Sequence, residues 1–362
     1  MQVSKEYKLF CPSGMEVTVL EAGAALTGVR VPDRSGTFAN VALPLKGTDD
    51  PSCAGVTLAP FAGRIAGGKM EIDGQTYQLT LNEGCNHLHG GFDALHKKRW
   101  QCEGRFEDED VQEIAFSACV GDGVDGYPGN RRFTVTYRLW RDQRLEILLR
   151  ATSDKPTRVN LSNHAYFNLS GDFEANVSDH LLEVNADEVY FNDEAFLMTG
   201  RGKAPPALNF AKMRRIGAPG GHVQLDGARG LNHCYVLRGG NDVPAAVLAD
   251  ERSGRRMRLF TDQPCVMVYS GGYLDNPNCA VALEAEEHPL SPYAPALPAL
   301  YPGEVYRRRI VYQFDTVDEA WGKEAQNPQI TPQHKRLPTP VWRLYNERKT
   351  GNGGIGFHIS DS

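Results

Sequence analysis

Three stretches of the chain gather residue types that move protons. Asn82-Glu-Gly-Cys-Asn-His-Leu-His-Gly-Gly91 and Asn160-Leu-Ser-Asn-His-Ala-Tyr-Phe-Asn-Leu-Ser-Gly171 each set histidine among asparagines, small residues and glycines. Val281-Ala-Leu-Glu-Ala-Glu-Glu-His-Pro289 brings carboxylates out of an apolar run. Imidazoles near neutrality and a partly desolvated carboxylate are the parts of general acid–base chemistry. The amide-rich surroundings suit a neutral polyhydroxylated ligand such as a sugar.

Each residue has a plain alternative. In an extended segment His87 and His89 point to one face. That spacing would suit a metal, but a third ligand and a second shell are missing, so neutral hydrogen-bonding histidines with no metal are the expectation. A buried histidine satisfied by backbone is an equal reading for His87. His89 runs into Gly90-Gly91, which permits close approach of backbone to a bound group. His164 precedes Tyr166, whose ring can hold the apolar face of a sugar, and Phe167, which reads as core. Ser162 is not a hydrolase nucleophile, because no Gly-x-Ser-x-Gly surrounds it. Glu284 ends the run Ala280–Leu283, where burial raises a carboxyl pKa toward neutrality. Glu287 reads as a solvated acid before Pro289. Arg64, alone among small and apolar residues, needs a fixed partner, either a ligand oxygen or a structural carboxylate.

Strands must position these residues. Met15–Leu20, Arg132–Leu139, Leu145–Leu149 and Val305–Phe314 alternate, and Val266–Tyr269 is a short buried-type run. Turn clusters such as Ile72-Asp-Gly74 and Gly121–Gly126 separate them. Short strands with little helical periodicity predict an all-β fold, a large antiparallel β-sandwich with few helices. From about Thr316 the strand signals stop, so residues 1–315 read as the catalytic domain and 316–362 as a poorly ordered extension. Gly351, Gly353 and Gly356 mimic a dinucleotide fingerprint, but only six residues follow and no helix can open there.

Composition narrows the partners. With 39 basic and 45 acidic residues the net charge is −6 and no basic stripe occurs, which argues against nucleic acid and membrane surfaces. The first ten residues lack an apolar signal region, so the cytoplasm is the expected location. The 8 cysteines form no Cys-x-x-Cys and read as free thiols.

Taken together, these motifs resemble the aldose 1-epimerase (galactose mutarotase) family over about residues 8–315. The carriers are Asn82…Asn86-His-Leu-His-Gly-Gly91 and Asn160–Gly171, with weaker support from Arg64-Ile65, Trp100, Tyr127-Pro-Gly129, Asp193-Glu194, Thr199-Gly200 and Pro302-Gly-Glu304. The resemblance implies a β-supersandwich and cofactor-free interconversion of sugar anomers. It implies Glu284 as base on the C1 hydroxyl and His164 as acid on the ring oxygen. His89, Arg64, Asn232, Asn163 and Tyr166 would bind the sugar. The chain departs from the family pattern at Asn232, where aspartate is usual, at Glu286, where glutamine is common, at Glu287-His288, where His-Phe is common, and at Gly63, where asparagine precedes the arginine. These departures touch the pocket rather than the fold. Two further readings stand beside the free-hexose epimerase. One is a hexose 6-phosphate epimerase using Arg201, Lys203, Arg214 and Arg215. The other is a non-catalytic sugar-binding protein.

Overall fold

The computed structural model describes residues 4–47, 50–217, 229–240 and 242–317. The expected extension 316–362 lies outside them apart from Thr316, which ends the last strand, and Val317. Among the described residues there is no helix of seven or more residues, and the all-β expectation is met. The only helical pieces there are three-residue 3-10 turns, such as Leu95–Lys97. None is long and apolar enough to cross a membrane.

Three antiparallel sheets carry the chain. A four-stranded meander takes Glu6–Phe10, Glu16–Leu20, Ala25–Pro32 and Phe38–Asn40. A nine-stranded sheet begins with the meander Gln101–Glu107, Val111–Val120, Arg131–Trp140, Arg144–Ser153. It then takes up the last strand, Tyr306–Thr316, between Arg144–Ser153 and Arg255–Thr261. A six-stranded sheet runs Tyr166–Phe167, Val281–Glu286, Cys265–Tyr269, Asn232–Leu237, Ala186–Asn192, Met198–Lys203. The alternating segments read from sequence all fall in strands, with ends displaced by at most a few residues. The Ile72-Asp-Gly74 cluster closes the hairpin Lys69–Ile72 to Gln75–Gln78, with φ of 51° at Asp73 and 77° at Gly74. Positive φ at both central residues matches the right-handed twist of the flanking strands, and Asp-Gly is the pair that accepts it.

One cluster of buried apolar side chains draws on all three sheets, including Val17, Leu26, Ile147, Tyr312, Val268 and Leu283. It explains the geometry of Val281–Glu286, in which every residue is buried. Period two sends Val281, Leu283 and Ala285 into this core. Ala282, Glu284 and Glu286 therefore face the other way. The core thus anchors the strand through one face and leaves the other to carry two acids. Truncating that anchor should be costly. Leu283→Ala, at a fully buried site, is expected to lower unfolding free energy by about 2–5 kcal/mol in urea titration; a loss below about 1 kcal/mol would contradict this packing.

Candidate active site

The outward face of the six-stranded sheet is a grid set by register. Glu284 pairs with Met267, and Met267 with Cys234. One row along, Glu286 pairs with Cys265, and Cys265 with Val236. On the other side lie Ala282, Tyr269 and Asn232, with Tyr166 opposite Ala282. Asn232 and Glu284, 52 positions apart in sequence, therefore share a face two strands apart.

Loops bring the imidazoles over this face. Ser162–Asn163 pairs with Thr57–Leu58, and His164 continues the ladder by donating its N–H to the Val56 carbonyl. Its Nε2 stands 3.6 Å from Glu284 Oε1, with both side chains almost wholly buried. The ring of His89 lies 5.6 Å from that of His164. His89 adopts φ of +49°, a left-handed conformation that is uncommon outside glycine but more open to histidine than to most residues. Its Nδ1 accepts the Gly63 N–H at 3.1 Å. An accepting Nδ1 carries no proton, so the neutral ring carries its proton on Nε2. His96, 6.5 Å from His89 ring to ring, is a third imidazole that sequence reasoning missed. It sits in an unremarkable Leu-His-Lys run with no pattern to reveal it.

Electrostatics follow from burial. Desolvation raises Glu284 from 4.5 to about 8, opposed by the positive charge of Arg64. Desolvation lowers His164 to about 4, and the charge of His96 acts in the same direction. His89 lies well below its ordinary value, through burial first and then the neighbouring His164 and His96. Burial and mutual proximity thus disfavour the charged form of all three rings, and one of them, His164, stands beside the carboxyl. Arg64 binds Glu83 with two bonds, Nε to Oε2 at 2.6 Å and Nη2 to Oε1 at 2.7 Å. Its partner is thus a structural carboxylate. The fork geometry leaves Nη1 for other acceptors. Phe196 stacks against the guanidinium at 5.0 Å.

Several expectations change. Asn163, expected to bind the sugar, is fully buried. Its Nδ2 donates to Gly55 O at 2.8 Å and Tyr137 Oη at 3.2 Å, and its Oδ1 accepts from Ala165 N–H. It braces the loop that presents His164. Tyr166, also expected at the sugar, is 2% exposed and donates to Ser52 O; its ring backs His164 at 4.8 Å. The polar atoms of both are thus used inside the protein. Asn232 reaches the pocket face with a half-buried side chain, while its backbone carbonyl accepts from Asn192. His87 is the buried, satisfied histidine, with Nδ1 at 2.8 Å from Thr80 O and Nε2 at 2.7 Å from Tyr127 Oη. Gly90 and Gly91 give close approach to the chain itself: a Cβ on them would meet Pro60 Cδ at 2.7 Å and Asp125 Oδ1 at 2.4 Å. Asn82 exchanges two bonds with the backbone of Leu88, so the asparagine-rich pattern reflects loop bracing. Glu287 is buried rather than solvated, paired with Arg308 at 2.5 Å. Of the basic residues considered for a phosphate, Arg201 pairs with Glu188, Arg215 with Glu251 and Asp179, and Arg214 donates to Pro206 O.

Comparison with known proteins points to one family. The family model described as Aldose 1-epimerase matches residues 5–313. The aldose 1-epimerase of Escherichia coli (strain K12) is 33% identical over 332 residues, covering 83% of this chain and 92% of that protein. The human galactose mutarotase is 32% identical over 318 residues, covering 83% and 91%. The crystal structure of galactose 1-epimerase from Lactobacillus acidophilus NCFM superposes with a TM-score of 0.79 at 30% identity, covering 87% of this chain and 95% of that one. A match over nearly the whole sheet system, including every strand that carries a site residue, means that this chain belongs to the aldose 1-epimerase family of isomerases.

Proposed function

We propose that the chain interconverts the α and β anomers of a free aldohexose such as glucose or galactose, with Glu284 as base and His164 as acid. The observation that carries this reading is the approach of two buried, oppositely acting groups to 3.6 Å without a hydrogen bond between them. That gap exceeds hydrogen-bond length, so both atoms can turn to the two oxygens of one anomeric carbon. The relatives named aldose 1-epimerase and galactose mutarotase support the choice of substrate. The tied-up arginines give the 6-phosphate reading no comparable support.

Between about pH 4 and pH 8 the pair holds one proton, since His164 takes one up only near 4 and Glu284 releases one only near 8. In the productive arrangement that proton is on His164 and Glu284 is ionised. Glu284 then takes the proton of the C1 hydroxyl while His164 gives its own to the ring oxygen. The bond from C1 to the ring oxygen breaks and leaves an open-chain aldehyde. Rotation about C1–C2 presents the other face of the carbonyl. Closure runs the transfers backwards, so both protons return and no net proton is consumed. His89, with Nε2–H as donor, and Arg64, through its remaining N–H groups, hold hydroxyls during the rotation. Asn232 can accept from one hydroxyl and donate to another.

Three outcomes are expected. Polarimetry or NMR of freshly dissolved α-D-glucose and α-D-galactose should report accelerated mutarotation, and Glu284→Gln should reduce that rate by about 10²–10⁴-fold while sugar binding persists. Binding without any wild-type turnover would favour the non-catalytic reading instead. The kcat/KM profile should be bell-shaped, falling below about pH 4, where a second proton blocks the base, and above about pH 8, where the pair has lost its only proton. A profile flat from pH 5 to 10 would sink the shared-proton scheme. Stability should show the opposite face of the same burial. The carboxyl titrates near 4.5 when unfolded and about 8 when folded, so its contribution is complete below 4.5 and is lost as pH climbs to 8. At pH 7 the penalty is about 3 kcal/mol. Glu284→Gln should melt above the wild type at pH 7–8, with the difference closing toward pH 4.5.

A further inference from the structure

A second acid stands on the pocket face, and the proton exchange described above does not use it. Glu286 follows Glu284 by two residues in Val281–Glu286, so both side chains leave the sheet on the same side. It is 4% exposed and has no ion pair among the described residues, in contrast to Glu287, which has Arg308. Its neighbours are Asn160, Cys234, Cys265 and Glu284. Burial first, and then the charge of Glu284, pushes its carboxyl well above the ordinary carboxylate range. An acid-form carboxyl also has an O–H to donate.

Gly63 faces that carboxyl. A Cβ placed on Gly63 would lie 3.8 Å from Glu286 Oε2, with no other non-adjacent atom within 4 Å. Any side chain at this position would fill the space in front of the acid. The glycine is half-buried, has φ of +79°, and donates its N–H to His89 Nδ1. Gly63 therefore borders both His89 and Glu286. Residues i and i+2 of a strand are about 6.6–6.8 Å apart, so a sugar with its anomeric hydroxyl at Glu284 extends a different part of its ring to Glu286.

We infer that Gly63 and Glu286 form a specificity subsite for an uncharged hydroxyl of the sugar, other than the anomeric one, with the Glu286 carboxyl as its hydrogen-bonding partner. This rests on the aldose 1-epimerase reading. Glycine at 63 supplies the room and Glu286 supplies the hydrogen-bonding group. An amide at 286 would retain a donor N–H, whereas an apolar side chain would not.

The test compares wild type, Glu286→Gln, Glu286→Leu and Gly63→Asn on the preferred aldohexose and its monodeoxy analogues, by NMR of anomer exchange, with thermal melts to establish folding. Glu286→Leu should raise KM about tenfold, with the loss in KM rather than kcat, and Glu286→Gln should recover most of it. One deoxy analogue should be penalised in the wild type and in Glu286→Gln but not in Glu286→Leu, because the missing hydroxyl and the missing polar side chain are the same interaction. Gly63→Asn, which tolerates the left-handed backbone, should raise KM by a similar factor through filling the space. Equal penalties for every analogue in wild type and Glu286→Leu, with KM unchanged, would overturn the subsite. Saturation-transfer NMR makes the same comparison by binding alone, so a wild type that binds sugars but turns none over would defeat the epimerase reading and still decide on Glu286.

Discussion

The structure depends on keeping one carboxyl, Glu284, out of water without bonding it to a cation. Arg64 supplies a moderating charge at a distance, but its strong bidentate bonds go to Glu83. A direct Arg64–Glu284 pair would stabilise the ionised form and weaken it as a base, since pairing holds a carboxylate far below neutrality. Committing the guanidinium to Glu83 fixes its position and leaves the carboxyl basic. Burial of His164 beside it acts the opposite way, lowering the imidazole's pKa. The two groups are pushed in opposite directions by the same lack of water, which is the condition under which one pocket could hold the acid and base proposed above.

That arrangement destabilises the folded state at neutral pH, and the rest of the fold offsets it. The strand bearing Glu284 is anchored through Leu283 and Ala285 to a core shared by all three sheets. Tyr306–Thr316 binds two other strands of the nine-stranded sheet from the far end of the chain. The loops over the face are braced by side chains imitating backbone: Asn82 against Leu88, Asn163 against Gly55, Asn160 between Ala62 and Glu287. The left-handed turn at His89 is sustained by glycines pressed against Pro60 and Asp125. The geometry that the proposed proton transfer needs is thus held by amides and glycines rather than by Glu284 and His164 themselves.

Much was legible in the chain before any coordinates. Strand periodicity located the long strands, and Asp73-Gly74 marked its hairpin, because alternation and turn chemistry are local properties. The motifs around His89 and His164, and Glu284 at the end of an apolar run, marked the region of the site. What those motifs meant was less legible. Their asparagines and tyrosine suggest ligand contacts, while the polar atoms of Asn163 and Tyr166 bond inside the protein. Composition reveals that donors and acceptors are plentiful; it cannot reveal whether the chain satisfies them first.

The sequence by itself determined the all-β class, the antiparallel strand pattern and which histidines and acids could do chemistry, since each is written in spacing over a few residues. Only the tertiary structure decided that Arg64 belongs to Glu83, that His96 joins the imidazole cluster, that Glu287 is buried against Arg308, and that Gly63 opens in front of Glu286. These pairings join positions far apart in the chain or set by a loop's course. They depend on sheet register and loop packing, so the desolvation that gives each group its chemistry exists only once the sheets have closed around it.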